Sequence, residues 1–317
     1  MAVGSFGSVT VFGGATVDRI AATRAAPVMG ASNPGTMRST AGGVGFNVAC
    51  VLARLGHPAR LVTCLGDDEA GRAVLAAAKA AGVDTGRVAV TAARPTATYN
   101  AILDDRGGLI IGIADMEVLS RITPPAIAPA VAEAPADDLW VIDANLPPET
   151  IDFLAGEATA TNRSLVGLPV SPAKALRLVP ILDRIALLFA NRAEAAVLLE
   201  RDQGEGQASA AFLADSLSRR GSLDAVVTDA GGLLVAASGG RTRAFAPLRA
   251  EVRSVNGAGD AFAAGTIHGL AGGRGLFEAI LSGLAAAAIT LESDATLPDE
   301  LTPALVAARI GAERIPT

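Results

Sequence analysis

Short runs of β-branched and aliphatic residues alternate along the chain with Ala- and Leu-rich stretches whose apolar positions recur at helical spacing. The runs predict strands at 8–12, 59–64, 139–143, 164–168, 185–189 and 225–228. Between them the spacing predicts helices over 47–55, 68–81, 148–158, 172–183, 192–200, 207–220, 258–270 and 276–292. Strand and helix in alternation is the pattern of a mainly parallel sheet covered by helices on both faces, an α/β fold with three layers, α/β/α. No repeat period or linker-like stretch divides it, so one α/β domain over residues 1–317 is the economical organisation.

A second pattern interrupts this order. Residues 96–103 and 109–113 are strand-like, and Asp104-Asp105-Arg106-Gly107-Gly108 between them is rich in turn formers, so the segment reads as a β-hairpin. Residues 14–22 and 35–40 could supply further strands. Strands inserted at about 14–40 and 96–114 would form a small sheet attached to the main body, placed to act as a lid that keeps water out of a transfer reaction. Such a sheet exposes an edge and an apolar face, so the expected protein partner is a second copy of the chain, a homodimer through the lid.

Composition narrows the function classes. Of 317 residues, 50% are apolar and 18% charged, and 35 Gly with 17 Pro fall short of a low-complexity chain, which excludes disorder and collagen-like repeats. A net charge of −6 gives no general attraction to nucleic acid or an anionic membrane. The longest apolar stretch, 279–291, is too short to span a bilayer, and the N-terminus has no basic, apolar signal pattern, which points to a cytoplasmic protein. Cys50 and Cys64 sit in apolar runs and read as inert core thiols. His57 and His268 have no metal or triad spacing around them and read as structural.

The chemistry is written in three strings. Asn256-Gly257-Ala258-Gly259-Asp260 opens an Ala-rich helix, so free amides at a Gly-rich turn make an anion cradle. Asp260 beside it is either a first-turn acid favoured by the helix dipole or a base aimed at a substrate hydroxyl. Gly42-Gly43-Val44-Gly45-Phe46-Asn47 also opens a helix, and Asn47 there can cap it or hold a polar ligand. Asn191 and Glu194, after an apolar strand, suit either a capping box or a hydrated magnesium ion.

These strings, in this order and inside this alternation, resemble the pfkB family of carbohydrate and nucleoside kinases, also called ribokinase-like, over essentially the whole chain. The resemblance implies a ribokinase-like three-layer sandwich with a β-sheet lid. It further implies ATP and magnesium as cofactors, with a monovalent cation as an open third, and a small-molecule nucleoside or sugar as substrate. Ser32-Asn33-Pro34-Gly35, the hairpin from Thr98 to Asp115 and Asp143-Ala144-Asn145 are similar to the branch that phosphorylates the 5′-hydroxyl of pseudouridine. Ribose, fructose, uridine or adenosine as substrate, or a silent ligand-binding homologue, are the alternatives.

By that resemblance Asp260 takes the hydroxyl proton while the amides of Gly257, Ala258 and Gly259 hold the phosphoryl group. Asp18, Gly43 and Asn47 hold ribose hydroxyls, and Thr98, Asn100 or Asp115 closes over the base. Asn33 and Asp143 belong to the substrate side too. Lys174 neutralises phosphate charge or is simply a solvated helix lysine. The nucleotide falls to Asn191, Thr228, Gly231, Asn256, Gly257 and Gly259, and the metal to Asn191 and Glu194. Three positions depart from the family pattern. Leu168 stands where a carboxylate is common, and Ala230 and Leu233 stand where the nucleotide loop commonly has glycine, which leaves the phosphate donor open.

Overall fold

A computed structural model describes residues 3–200, 208–221 and 224–313. Its strands are β1 (Ser8–Phe12), β2 (Thr16–Thr23), β3 (Gly35–Gly42), β4 (Ala59–Val62), β5 (Cys64–Gly66), β6 (Ala89–Thr91), β7 (Thr98–Leu103) and β8 (Leu109–Asp115). They continue with β9 (Asp138–Asp143), β10 (Leu165–Leu168), β11 (Leu187–Asn191), β12 (Asp224–Thr228), β13 (Leu234–Ser238) and β14 (Arg241–Phe245). The helices are α1 (Val44–Arg54), α2 (Glu69–Ala80), α3 (Pro124–Ala132), α4 (Pro148–Ala160), α5 (Pro172–Ala175), α6 (Arg192–Leu198), α7 (Ala210–Gly221), α8 (Ala258–Ala271), α9 (Leu276–Leu291) and α10 (Pro303–Glu313).

The main sheet runs β14-β13-β12-β11-β10-β9-β1-β4, parallel from β12 to β4 and antiparallel at the β13 and β14 edge. Side chains alternate across it. Val9, Val11, Leu139 and Val141 pack with Phe46 of α1, Phe262 of α8 and Ile280 of α9. Phe12, Trp140 and Ile142 point the other way, to Ile151 of α4, Leu198 of α6 and Leu213 of α7. Each such fully buried aliphatic side chain contributes roughly 1.5–3 kcal/mol, which fixes the three layers of an α/β/α sandwich. Helices α8 and α9 touch closely because their contact is made of small residues. A Cβ at Gly269 would come within 2.7 Å of the Ala279 Cα, and one at Gly265 within 2.7 Å of the Ala286 Cβ.

A second sheet, β3-β2-β7-β8, is the small lid sheet, built from the hairpin expected at 96–113 and the strands expected near 14–22 and 35–40. β2 pairs antiparallel with β3 and parallel with β7, and β7 pairs antiparallel with β8.

Several elements differ from the sequence reading. The run at 59–64 breaks after Val62, and β5 leaves the main sheet to pair with β6. The helix predicted over 172–183 is α-helical only to Ala175 and continues as a tighter 3₁₀ stretch, Leu176–Arg184; it contains Pro180, whose ring in an α-helix would crowd the carbonyl four residues back, at Leu176. Residue 207 of the predicted helix 207–220 lies outside the described residues, and α7 occupies the rest from Ala210.

Candidate active site

The parallel strands β1, β9, β11 and β12 end at one edge of the sheet, where α/β folds collect ligand-binding groups. Asp143, the last residue of β9, is fully buried there and serves as a pin. Its Oδ2 accepts hydrogen bonds from the amides of Gly14 (2.8 Å) and Gly45 (2.9 Å), and its Oδ1 accepts one from the Asn145 amide (2.8 Å). Burial pushes its carboxyl above the ordinary 3.8, against the pull of these bonds. The junction admits no side chain at Gly45, where a Cβ would stand 2.8 Å from the Gly13 Cα. One step out, Lys174 Nζ donates to Asn145 Oδ1 at 2.5 Å, and Arg177 donates to the carbonyls of Ala144, Asn145 and Leu146. Partial burial lowers the Lys174 ammonium from its ordinary value, offset in part by the Asp143 charge.

Across this junction stands Asp260, in the first turn of α8 and partly open to solvent. Asn47 Nδ2 donates to Asp260 Oδ2 at 2.7 Å, joining α1 to α8. Desolvation pushes the Asp260 carboxyl up to about 7; the Asn47 bond opposes this, and the charges of Asp143, Asp18 and Glu194 add to it. Asn47 is buried, and its Oδ1 has no partner, so the site holds an unused acceptor beside an acid poised near neutrality. The start of α8 is equally unfilled. Gly257 adopts a left-handed φ of 75° with no side-chain cap, and a Cβ built at Gly259 would meet nothing within 4 Å. First-turn amides that face open space are anion donors. Asp18, at the root of the lid, accepts from Thr16 Oγ1 (2.9 Å), and burial raises its carboxyl too.

Further along the same edge, Asn191 of β11 stands in register with Thr228 of β12. Asn191 and Glu194 form the reciprocal capping box at the start of α6, each bond 2.9 Å long. Glu194 is buried, its carboxyl is raised by desolvation, and only its Oε2 is engaged by that cap. One half-engaged carboxylate with one amide oxygen fits a magnesium ion that keeps its own waters. It does not make a closed metal cage, and no cluster of three or more His, Cys, Asp or Glu ligands occurs among the described residues. The following turn is made by Ala230 (φ 22°) and Gly231 (φ 85°), with Asp229 paired to Arg192 at 3.0 Å.

The sequence pattern of the pfkB family carbohydrate kinases matches residues 7–302. The chain belongs to that family. It is accordingly a phosphotransferase with an alcohol group as acceptor. Among curated proteins it is 30% identical to pseudouridine kinase of Escherichia coli (strain K12) over 263 residues, 81% of this chain and 82% of that one. Among solved structures it resembles a carbohydrate kinase from Agrobacterium tumefaciens at 35% identity and a TM-score of 0.82, covering 96% of this chain and 97% of that one. The ribokinase of Arabidopsis thaliana, solved with ribose and ATP, shares the fold at 19% identity and a TM-score of 0.80, covering 98% and 99% of the two chains.

Within this candidate site the structure brings together Asp18, Gly43, Asn47 and Asp260 around the α1 and α8 starts, and Asn191, Glu194, Thr228 and Gly231 around the neighbouring strand ends. Asn256 is exposed just before Gly257. Two residues expected on the substrate side have other work. Asp143 has no accessible surface and its oxygens are taken by backbone amides, so it shapes the site from behind. Asn33 lies in the loop between β2 and β3, where it bonds the backbone of Val28 and Ala31 at 2.8–3.0 Å. The pairing of the lid also divides the hairpin residues. Asp18 is in register with Tyr99, whereas Thr98, Asn100 and Asp115 lie on the other face, in rows with Val17 and Arg19. The sequence reading missed Arg177, whose signal is only its one-turn spacing from Lys174 on a helix-forming stretch. His57 and His268 pair with each other at 2.8 Å, and burial lowers both; Cys50 is pushed up to about 12 by burial.

Proposed function

We propose that the protein transfers the terminal phosphoryl group of ATP to the 5′-hydroxyl of pseudouridine. The observation that carries the reading is the Asp260 corner: an acid near neutrality, bonded to Asn47, next to uncapped amides at the start of α8. A carboxylate beside an anion cradle repels its guest unless it has a proton to receive, which is the position of a base in phosphoryl transfer. In this reading Asp260 takes the 5′-hydroxyl proton as that oxygen bonds to the γ-phosphorus. The bond from phosphorus to the β,γ-bridging oxygen breaks, and ADP leaves with the electron pair. The amides of Gly257, Ala258 and Gly259 stabilise the charge on the moving group. Asn47 Oδ1, otherwise unpartnered, accepts from a ribose hydroxyl, with Asp18 and Gly43 beside it.

Asn191 and Glu194 would hold a hydrated magnesium ion, which supplies charge neutralisation on the donor phosphates. Thr228, Gly231 and Asn256 line the nucleotide side, Lys174 adds positive charge, and ATP as donor fits work in the cytoplasm. The likeness to pseudouridine kinase of E. coli supports the choice of acceptor. Purified protein with ATP and magnesium is expected to phosphorylate pseudouridine in preference to uridine, adenosine, ribose and fructose, read as kcat/KM by coupled release of ADP. Preference for uridine or ribose would overturn the choice of acceptor, and binding without turnover would make the protein a sensor.

A further inference from the structure

The lid has two unlike faces, and the side chain best placed to meet a nucleobase is one that the motif pattern does not single out. Residues in register across a sheet share a face. Asp18 of β2 is in register with Thr40 of β3 and Tyr99 of β7, and Tyr99 with Ala114 of β8. This face looks toward the reaction corner. The Asp18 charge acts on Asp260, and β3 runs through Gly42 and Gly43 directly into α1, which carries Asn47.

Tyr99 is the chain's only Tyr, and it stands half-buried on this inner face beside the proposed ribose carboxylate. Its ring lies across Gly112 of β8: a Cβ built on Gly112 would meet Tyr99 Oη at 2.8 Å and ring carbons at 3.2–3.3 Å. The glycine thus leaves room for an aromatic ring laid flat against the strand, and the Tyr99 hydroxyl has no hydrogen-bond partner among the described residues. A half-exposed ring with a free phenol, one strand away from a ribose-binding acid, has the chemistry to stack on a planar heterocycle and bond to its edge.

We infer that Tyr99 is the specificity-determining residue that holds the base of a nucleoside substrate against the inner face of the lid. The inference rests on the nucleoside-kinase reading and names the side chain that would distinguish a nucleoside from a free sugar.

Tyr99→Ala and Tyr99→Phe, compared with the parent protein, test it through KM and kcat for pseudouridine, the inhibition constant of D-ribose as the base-less fragment, and the melting temperature. Loss of base stacking is worth about tenfold or more in binding. Tyr99→Ala is expected to raise KM for pseudouridine by about that factor with kcat little changed. Inhibition by ribose and the melting temperature should stay at parental values. Tyr99→Phe keeps the ring and should recover most of the parental KM. An unchanged KM in Tyr99→Ala would overturn the assignment, as would an equal loss for pseudouridine and ribose. If the parent protein phosphorylates ribose and neither binds nor phosphorylates any nucleoside, the nucleoside reading fails and the assignment with it. If the parent accepts pseudouridine and the variants do not discriminate, the assignment alone fails.

Discussion

Asp260 shows how one residue's surroundings set both chemistry and stability. Removal from water is the main reason its carboxyl sits at about 7, and three neighbouring acids strengthen the effect. As a base it must be ionised, so kcat/KM should fall as pH drops, on a limb with its midpoint near 7. The same shift has an opposite consequence for the fold. The unfolded chain releases this proton near the ordinary 3.8 and the folded protein near 7, so stability present in acid is lost as pH climbs through that window. Asp260→Asn removes both the base and the desolvated charge. It should lower turnover by at least about 10² while melting at higher temperature than the parent at pH 8, and the difference in melting should narrow toward pH 4. A parental rate in this variant would remove Asp260 from the mechanism.

At the scale of elements, the two Gly-rich helix starts place Asn47 and Asp260 together, yet their glycines serve different ends. Gly43 precedes α1 at φ 97°, and a Cβ there would stand 2.6 Å from the Gly14 carbonyl oxygen. Gly43→Ala is therefore expected to cost about 2 kcal/mol or more in urea denaturation, from left-handed strain and a backbone contact that cannot yield. Gly259→Ala meets nothing within 4 Å, so the fold should keep its stability to within about 1 kcal/mol. Its methyl would project into the open space beside the start of α8, and the expected loss is a raised KM for ATP. The sequence makes these two starts legible because Gly-rich turns before Ala-rich helices are local signals. It hides Asp143 as a pin, since the amides it binds lie 129 and 98 residues away. The core strands are legible as short continuous apolar runs, because a parallel sheet buries both of their faces. The break after Val62 is not, because β5 is as apolar as β4 and only its pairing with β6 reveals the departure. The lid strands could be read one by one, but the face each residue takes depends on partners across the sheet. That is why Thr98 and Asn100 stood among the expected substrate-side residues and Tyr99 did not.

At the scale of the whole molecule, the outer face of the lid beyond its buried root at Val17 is left uncovered among the described residues. One row across all four strands reads Met37, Ala21, Ile102, Ile111, and the next row over adds Ile113 beside Asn100. Met37 is 74% exposed, Ile113 56%, Ile111 48% and Ile102 41%, an apolar surface opposite the face that carries Asp18 and Tyr99. An apolar sheet face of this kind is costly in water, and a second copy of the chain presents the same surface for it to pair with. We propose that two lids pack through these faces to form a homodimer, with each inner face left free to close over substrate. Ile111→Asp together with Ile113→Asp would bury two unpaired charges in that contact. The parent protein should sediment as a dimer at micromolar concentration, and the double variant should sediment as a monomer with its melting transition intact. A parent that sediments as a monomer, or a double variant that stays dimeric, would refute the contact. Because the substituted side chains point away from Asp18, monomerisation should alter catalysis only through the lid's rigidity. The expected result is a higher KM for the acceptor with little change in KM for ATP, and equal losses for both substrates would mean that the lid contact also shapes the nucleotide side.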